Sequence, residues 1–109
     1  MGTTVQHDQR IPFPAPASPT ACRRSPRTFD VARGEATDPA AADRIRTAKA
    51  ACRHCPIAEG CLRWALANPD ETPTGVWAAT TAGERTLLRS RLARRLGPDW
   101  IDALALPAN

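Results

Sequence analysis

Residues 48–66 read AKAACRHCPIAEGCLRWAL, and the spacing of three cysteines within that stretch decides how the chain is built. Cys52 and Cys55 form a C-x2-C pair, and Cys61 follows after five further residues. A C-x2-C pair brings two sulfurs together across a tight turn. Pro56, directly after Cys55, sets that turn and opens a helix, because proline suits a first helical position. Cys61 then lies about one and a half turns along, on a face with Ile57, Trp64 and Ala65. Thiols beside a helix N-terminus ionise more easily, so depressed thiol pKa values are expected here. The fourth cysteine, Cys22, stands 30 positions before Cys52.

Three chemistries remain open for this set. An iron–sulfur cluster accepts irregular spacing, including three clustered thiolates and one distant one. Structural zinc more often uses two short knuckles or Cys/His pairs. Here the second spacing is five, and His54 sits between two cysteines while His7 is far off. Two disulfides would also use four cysteines, but only in an oxidising compartment. Met1–Arg10 reads MGTTVQHDQR, with no apolar run of the kind that directs export. A cytoplasmic location is expected, and with it reduced thiols.

Composition sharpens the picture. The 109 residues include only 5% aromatics, and the 42% hydrophobic share leans on alanine, so a thin core is expected. That length excludes a large multi-domain enzyme, and no stretch approaches the roughly 20 apolar residues of a membrane span. Residues 1–20 are rich in proline, without helical or alternating periodicity, and are expected to form a disordered arm. Asp38-Pro39 starts a helical run that contains no glycine or proline before Cys52. Asn68–Pro73 (NPDETP) ends the cysteine helix. Thr81-x-x-Glu84 fits a capping box and opens a further helix carrying Leu88, Leu92 and Leu96, which Gly97-Pro98 stops. WIDALAL, from Trp100, adds one more turn. The fold class is therefore mostly α, a small single domain of three to four short helices.

The charge is localised. The formal net charge is +4, and Arg85, Arg89, Arg91, Arg94 and Arg95 against Glu84 account for all of it between Ala82 and Leu96. Arginine suits bidentate phosphate contact, so these five are the candidate DNA-binding residues. No base positioned by a third group is visible, so redox chemistry at the thiols is the sole enzymatic option.

The same 48–66 stretch, followed by PTGVWAATTAGERTLLRSRL from Pro73, resembles the WhiB-like family of actinobacterial transcriptional regulators. The C-x2-C-x5-C spacing and the Gly-Val-Trp turn beginning 14 positions after Cys61 carry that resemblance, which spans about residues 48–95. It implies one [4Fe-4S] cluster per chain, bound by Cys22, Cys52, Cys55 and Cys61 and responsive to oxygen and nitric oxide. It also implies a monomer that docks on the principal sigma factor of RNA polymerase through Gly75, Val76 and Trp77 and touches promoter DNA through the basic helix. The cluster-free form of such proteins can carry disulfides, and thiol–disulfide reductase activity is the alternative function; a structural zinc-binding interaction module is another. Residues 1–20 would be the arm, 21–80 the cluster-binding domain, and 81–109 the Arg-rich helix and tail. The chain departs from the family turn Gly-Val-Trp-Gly-Gly, because Ala78 and Ala79 follow Trp77. Positive φ at either position would strain an alanine. Near the first cysteine the expected aromatic pair is reduced to Phe29.

Overall fold

Local signals account for two of the three long helices, whereas the cysteine helix begins at Ala58, two residues after Pro56 and without a side-chain cap. In the computed structural model, which describes residues 10–105, Asp38 Oδ1 accepts a hydrogen bond from the Ala40 N–H at 3.0 Å and Pro39 takes the first helical position. A single 3-10 turn, Pro39–Ala41, leads into helix α3, Ala42–Arg53. Ahead of it lie two one-turn helices around Cys22: α1, Ala21–Arg24, and α2, Pro26–Phe29. The sequence pattern does not announce these two, because four residues are too few for any periodicity to register. Helix α4 covers Ala58–Ala67, α5 Ala82–Leu96 and α6 Trp100–Ala105. Thr81 and Glu84 form the capping box expected from their spacing, with the Thr81 N–H donating to Glu84 Oε1 at 2.8 Å. The fold is mostly helical, and among the described residues there is no strand, only an isolated bridge between Trp77 and Thr80.

Two small apolar clusters hold these helices together. Phe29, Val31, Ala41, Ile45, Ala48, Cys52 and Val76 join α2 and α3 to the Gly-Val-Trp segment. Ile11, Trp64 and Ala67, with Trp77, Ile101 and Leu104 against them, join α4 to the tail helix. Most of these side chains are small, so backbone-directed hydrogen bonds matter more than usual. Arg44 on α3 donates to the carbonyls of Arg27 and Asp30 and to Glu35 Oε2, which fastens the α2–α3 connection.

The arm expected to be disordered over residues 1–20 lies outside the described residues for its first nine positions. From residue 10 onward it packs. Ile11 is 5% exposed, Arg10 pairs with Asp102 at 2.7 Å, and Pro14 crosses α4 at Gly60. A Cβ at Gly60 would stand 3.1 Å from Pro14 Cγ, which accounts for a glycine inside a helix where it costs up to about 1 kcal/mol. Ile11 and Phe13 among the prolines are the apolar residues that make this docking worthwhile.

Candidate functional site

Cys52 lies in the last turn of α3, and the chain then turns back, with the Cys55 N–H donating to the Cys52 carbonyl at 3.0 Å. Three residues later the Ala58 N–H reaches the Cys55 carbonyl, and Cys61 sits in the first turn of α4. Cys22 arrives from the other side on α1, its sulfur hydrogen-bonded to the Thr20 hydroxyl at 3.0 Å. All four thiols are free, and all four line one cavity of about 480 Å³. Its walls are otherwise largely apolar, from Phe13, Phe29, Val76 and Trp77. His54 is exposed and absent from that lining, whereas His7 lies outside the described residues. Among the described residues, no three Cys, His, Asp or Glu side chains converge closely enough to hold one metal ion. A single tetrahedral zinc demands such convergence, with each sulfur about 2.3 Å from the metal. A polynuclear group bound at its corners does not.

The turn after Trp77 closes the cavity. The Trp77 N–H donates to the Thr80 carbonyl at 3.0 Å and the Thr80 N–H returns to the Trp77 carbonyl at 2.9 Å. Between them Ala78 has φ 49° and Ala79 φ 62°. Two consecutive left-handed residues are the signature of a primed hairpin turn, usually made by Asn-Gly. Glycine would take this bend without strain, whereas this chain makes it with two alanines. What the bend achieves is the placement of backbone donors: the Ala79 and Ala78 N–H groups face the Cys52 sulfur, and that of Ala78 also faces Cys61.

The Cys52 and Cys61 thiols do not ionise easily, contrary to the expectation from the helix N-terminus. Burial raises Cys52 above its ordinary value and pushes Cys61 up to about 12, and the neighbouring cysteines add to both shifts. Cys52 is at a helix C-terminus, where the dipole gives no help. Desolvation of several crowded sulfurs outweighs the donors from the turn.

Trp77 and Trp64 stack at 5.7 Å between ring centroids, and Phe13 meets both edge-on at 5.1 and 6.5 Å. Of the three residues expected to meet a sigma factor, Val76 is 5% exposed in the core, which removes its side chain from any contact. Gly75, at φ 81°, shapes the turn, and Trp77 presents partly exposed aromatic surface. Phe13 was not anticipated at this site.

The arginines divide into two groups, which corrects the expectation for two of them. Arg85 is 0% exposed and its guanidinium donates to the carbonyls of Thr72, Thr74, Gly75 and Thr80 at 2.7–3.1 Å. Arg89 donates to the carbonyls of Leu66 and Ala65, both at 2.8 Å, near the end of α4. Both side chains are committed to backbone oxygens, Arg85 fully buried and Arg89 half-buried, which turns them away from a phosphate-binding surface. Arg91, Arg94 and Arg95 are exposed and keep that option.

Residues 17–88 match the family model described as "Transcription factor WhiB". That span covers well over half of the chain and includes all four cysteines. Over 51 residues the chain is 41% identical to "Transcriptional regulator WhiB1" of Mycobacterium tuberculosis, in strains CDC 1551 and H37Rv alike. The aligned part is 47% of this chain and 58% of that relative, so the chain spans less than two thirds of the relative's length.

Proposed function

The chain belongs to the WhiB family of transcription factors, and from that premise we propose that it regulates transcription in response to redox state or nitric oxide through a [4Fe-4S] cluster. Cys22, Cys52, Cys55 and Cys61 hold the cluster, one per chain. The observation that carries this reading is that all four thiols surround one apolar cavity, while among the described residues no three converge on a single-ion site. When bound, the cluster supplies a centre that oxygen or nitric oxide can attack, and its loss changes the charge and shape of the cavity.

The rest of the task falls to this chain's own residues. Ala78 and Ala79 offer N–H donors to ligand sulfurs, an arrangement that tunes iron–sulfur sites. Phe13 and Trp77 line the cavity and keep water from it, with Trp64 packed behind them. The partly exposed Trp77 ring, with Gly75 shaping the turn beneath it, is the docking surface for the principal sigma factor, because a rigid aromatic anchor beside a polar rim is typical of hot spots. Arg91, Arg94 and Arg95 contact promoter phosphates, positioning the chain without reading bases. The reductase alternative is weakened by burial, since raised Cys52 and Cys61 pKa values work against a nucleophilic thiolate.

The test is binding of the anaerobically loaded protein to the principal sigma factor and to promoter DNA, before and after nitric oxide. Binding to the sigma factor that Trp77→Ala abolishes, and that nitric oxide alters, is expected. Binding to neither partner in either state overturns the reading.

A further inference from the structure

Most cations of this chain meet water or acids. Lys49 pairs with Glu84 at 2.8 Å, Arg63 with Glu59 at 2.5 Å and Arg10 with Asp102 at 2.7 Å. Arg85 does neither. It is fully buried, all its hydrogen-bond partners are neutral carbonyl or hydroxyl oxygens, and its Nε has no partner. The adjacent Glu84 turns away toward Lys49 and Thr81. Arg89, the next cation on the same face, brings like charge rather than relief. A buried charge without an opposite charge is costly enough that structures rarely keep one.

The missing negative charge lies on the other side of the turn that Arg85 grips. Its Nη1 holds Gly75 and Thr80, which bracket Trp77, Ala78 and Ala79, and the last two face the cysteine sulfurs. Metal binding fixes its cysteine ligands as thiolates. Four thiolates around a core of charge near +2 leave the site net negative, whether that core is iron–sulfur or zinc. Burial pulls the Arg85 guanidinium down to about 10 and Arg89 adds to that, while Cys61 and, less, Glu84 oppose both.

We propose that Arg85 is the internal counter-ion of the loaded cysteine site, and that this attraction couples the site's occupancy to the hold of α5 on the Thr72–Thr80 segment. The inference rests on the reading that the four cysteines bind a redox-active iron–sulfur cluster. Arg85 is a positioning residue. It touches no ligand sulfur, and acts through charge and through the carbonyls it binds. Exposed Arg91, Arg94 and Arg95 lie on the same helix, so the DNA-facing surface is tied to the site through it.

The experiment compares Arg85→Gln, which removes the charge, with Arg85→Lys, which keeps it and loses the planar fork. Each is purified anaerobically as the full chain, analysed for metal and sulfide, and then titrated for reduction potential. Metal content of the wild type tests the underlying reading on its own. If Arg85 is the counter-ion, the glutamine variant has a potential lower by about 59 mV, a tenfold change in the one-electron equilibrium, and loses its metal group faster in air. The lysine variant keeps a potential near wild type despite a lower melting temperature. Equal shifts in both variants, or no shift in either, would leave a carbonyl clamp only and overturn the proposal. Should the glutamine variant fail to fold, the lysine variant decides alone: a wild-type potential supports the counter-ion, and a displaced one refutes it.

Discussion

Replacing Ala78 by glycine should make this protein more stable, which is the reverse of what most substitutions beside a functional site do. Ala78 and Ala79 sit at φ 49° and 62° in a turn closed by reciprocal Trp77–Thr80 hydrogen bonds. The left-handed conformation costs an L-residue roughly 1–2 kcal/mol. Glycine removes that cost but gives back about 0.4–1 kcal/mol through its looser unfolded chain. For Ala78 the net gain is about 0.5–1 kcal/mol. Ala79 differs, because its methyl packs against the core cluster of Phe29, Ile45 and Val76. Losing that methyl forfeits about 0.8 kcal/mol, so Ala79→Gly should be close to neutral. At the scale of a small domain, the Ala78→Gly gain corresponds to a melting temperature higher by roughly 2–8 °C. Calorimetry under nitrogen on the loaded protein reads this directly. A fall in melting temperature for Ala78→Gly, or a larger gain for Ala79→Gly than for Ala78→Gly, would refute the strain argument.

Other residues give equally specific outcomes. Gly75→Ala should cost about 2 kcal/mol in urea unfolding, because φ is 81° and the new Cβ would stand 3.3 Å from the Phe29 carbonyl oxygen. Arg89→Ala should destabilise by about 2 kcal/mol by removing charge-assisted hydrogen bonds, while leaving the salt dependence of DNA binding unchanged. Joint replacement of Arg91, Arg94 and Arg95 should do the opposite: stability stays within about 0.5 kcal/mol, and the salt slope of DNA binding falls by about 0.9 for each phosphate that is no longer neutralised. For Glu84, burial pushes the carboxyl up, but the Lys49 ammonium and the Thr81 donors win and hold it below its ordinary 4.5. A carboxylate depressed in the folded state stabilises above that value and loses its contribution as the pH falls through the folded one. Acid titration of stability should therefore be shallower below pH 4.5 in Glu84→Gln than in the wild type.

What the sequence disclosed follows from how local each signal is. Thr81 and Glu84 lie one helical turn apart, and Asp38-Pro39 are adjacent, so their caps could be read without knowing the fold. The Cys52, Cys55 and Cys61 spacing is equally local, and it points to the family to which the chain belongs. Arg85 and Arg89 defeated a charge count because the carbonyls they satisfy come from Ala65, Leu66 and the Thr72–Thr80 segment, across a loop. A hint was present: Arg85 falls within the Leu88/Leu92 stripe, an inward position for a cation. The arm misled in a similar way. Proline content argued for a tail, whereas Ile11 and Phe13 find their partners more than 50 residues away, on α4 and the Trp77 turn. Thiol reactivity was misjudged because the helix dipole is a local effect, and desolvation depends on everything packed around the sulfurs.

On the proposed function, these four thiols hold one cluster between them rather than separate ions or disulfides. Anaerobic purification of the full chain, with iron, zinc and acid-labile sulfide counted together, tests it most directly. About four iron and four sulfide per chain are expected, with both lost when Cys22, Cys52, Cys55 or Cys61 is changed to serine. Stoichiometric zinc without sulfide would contradict the account.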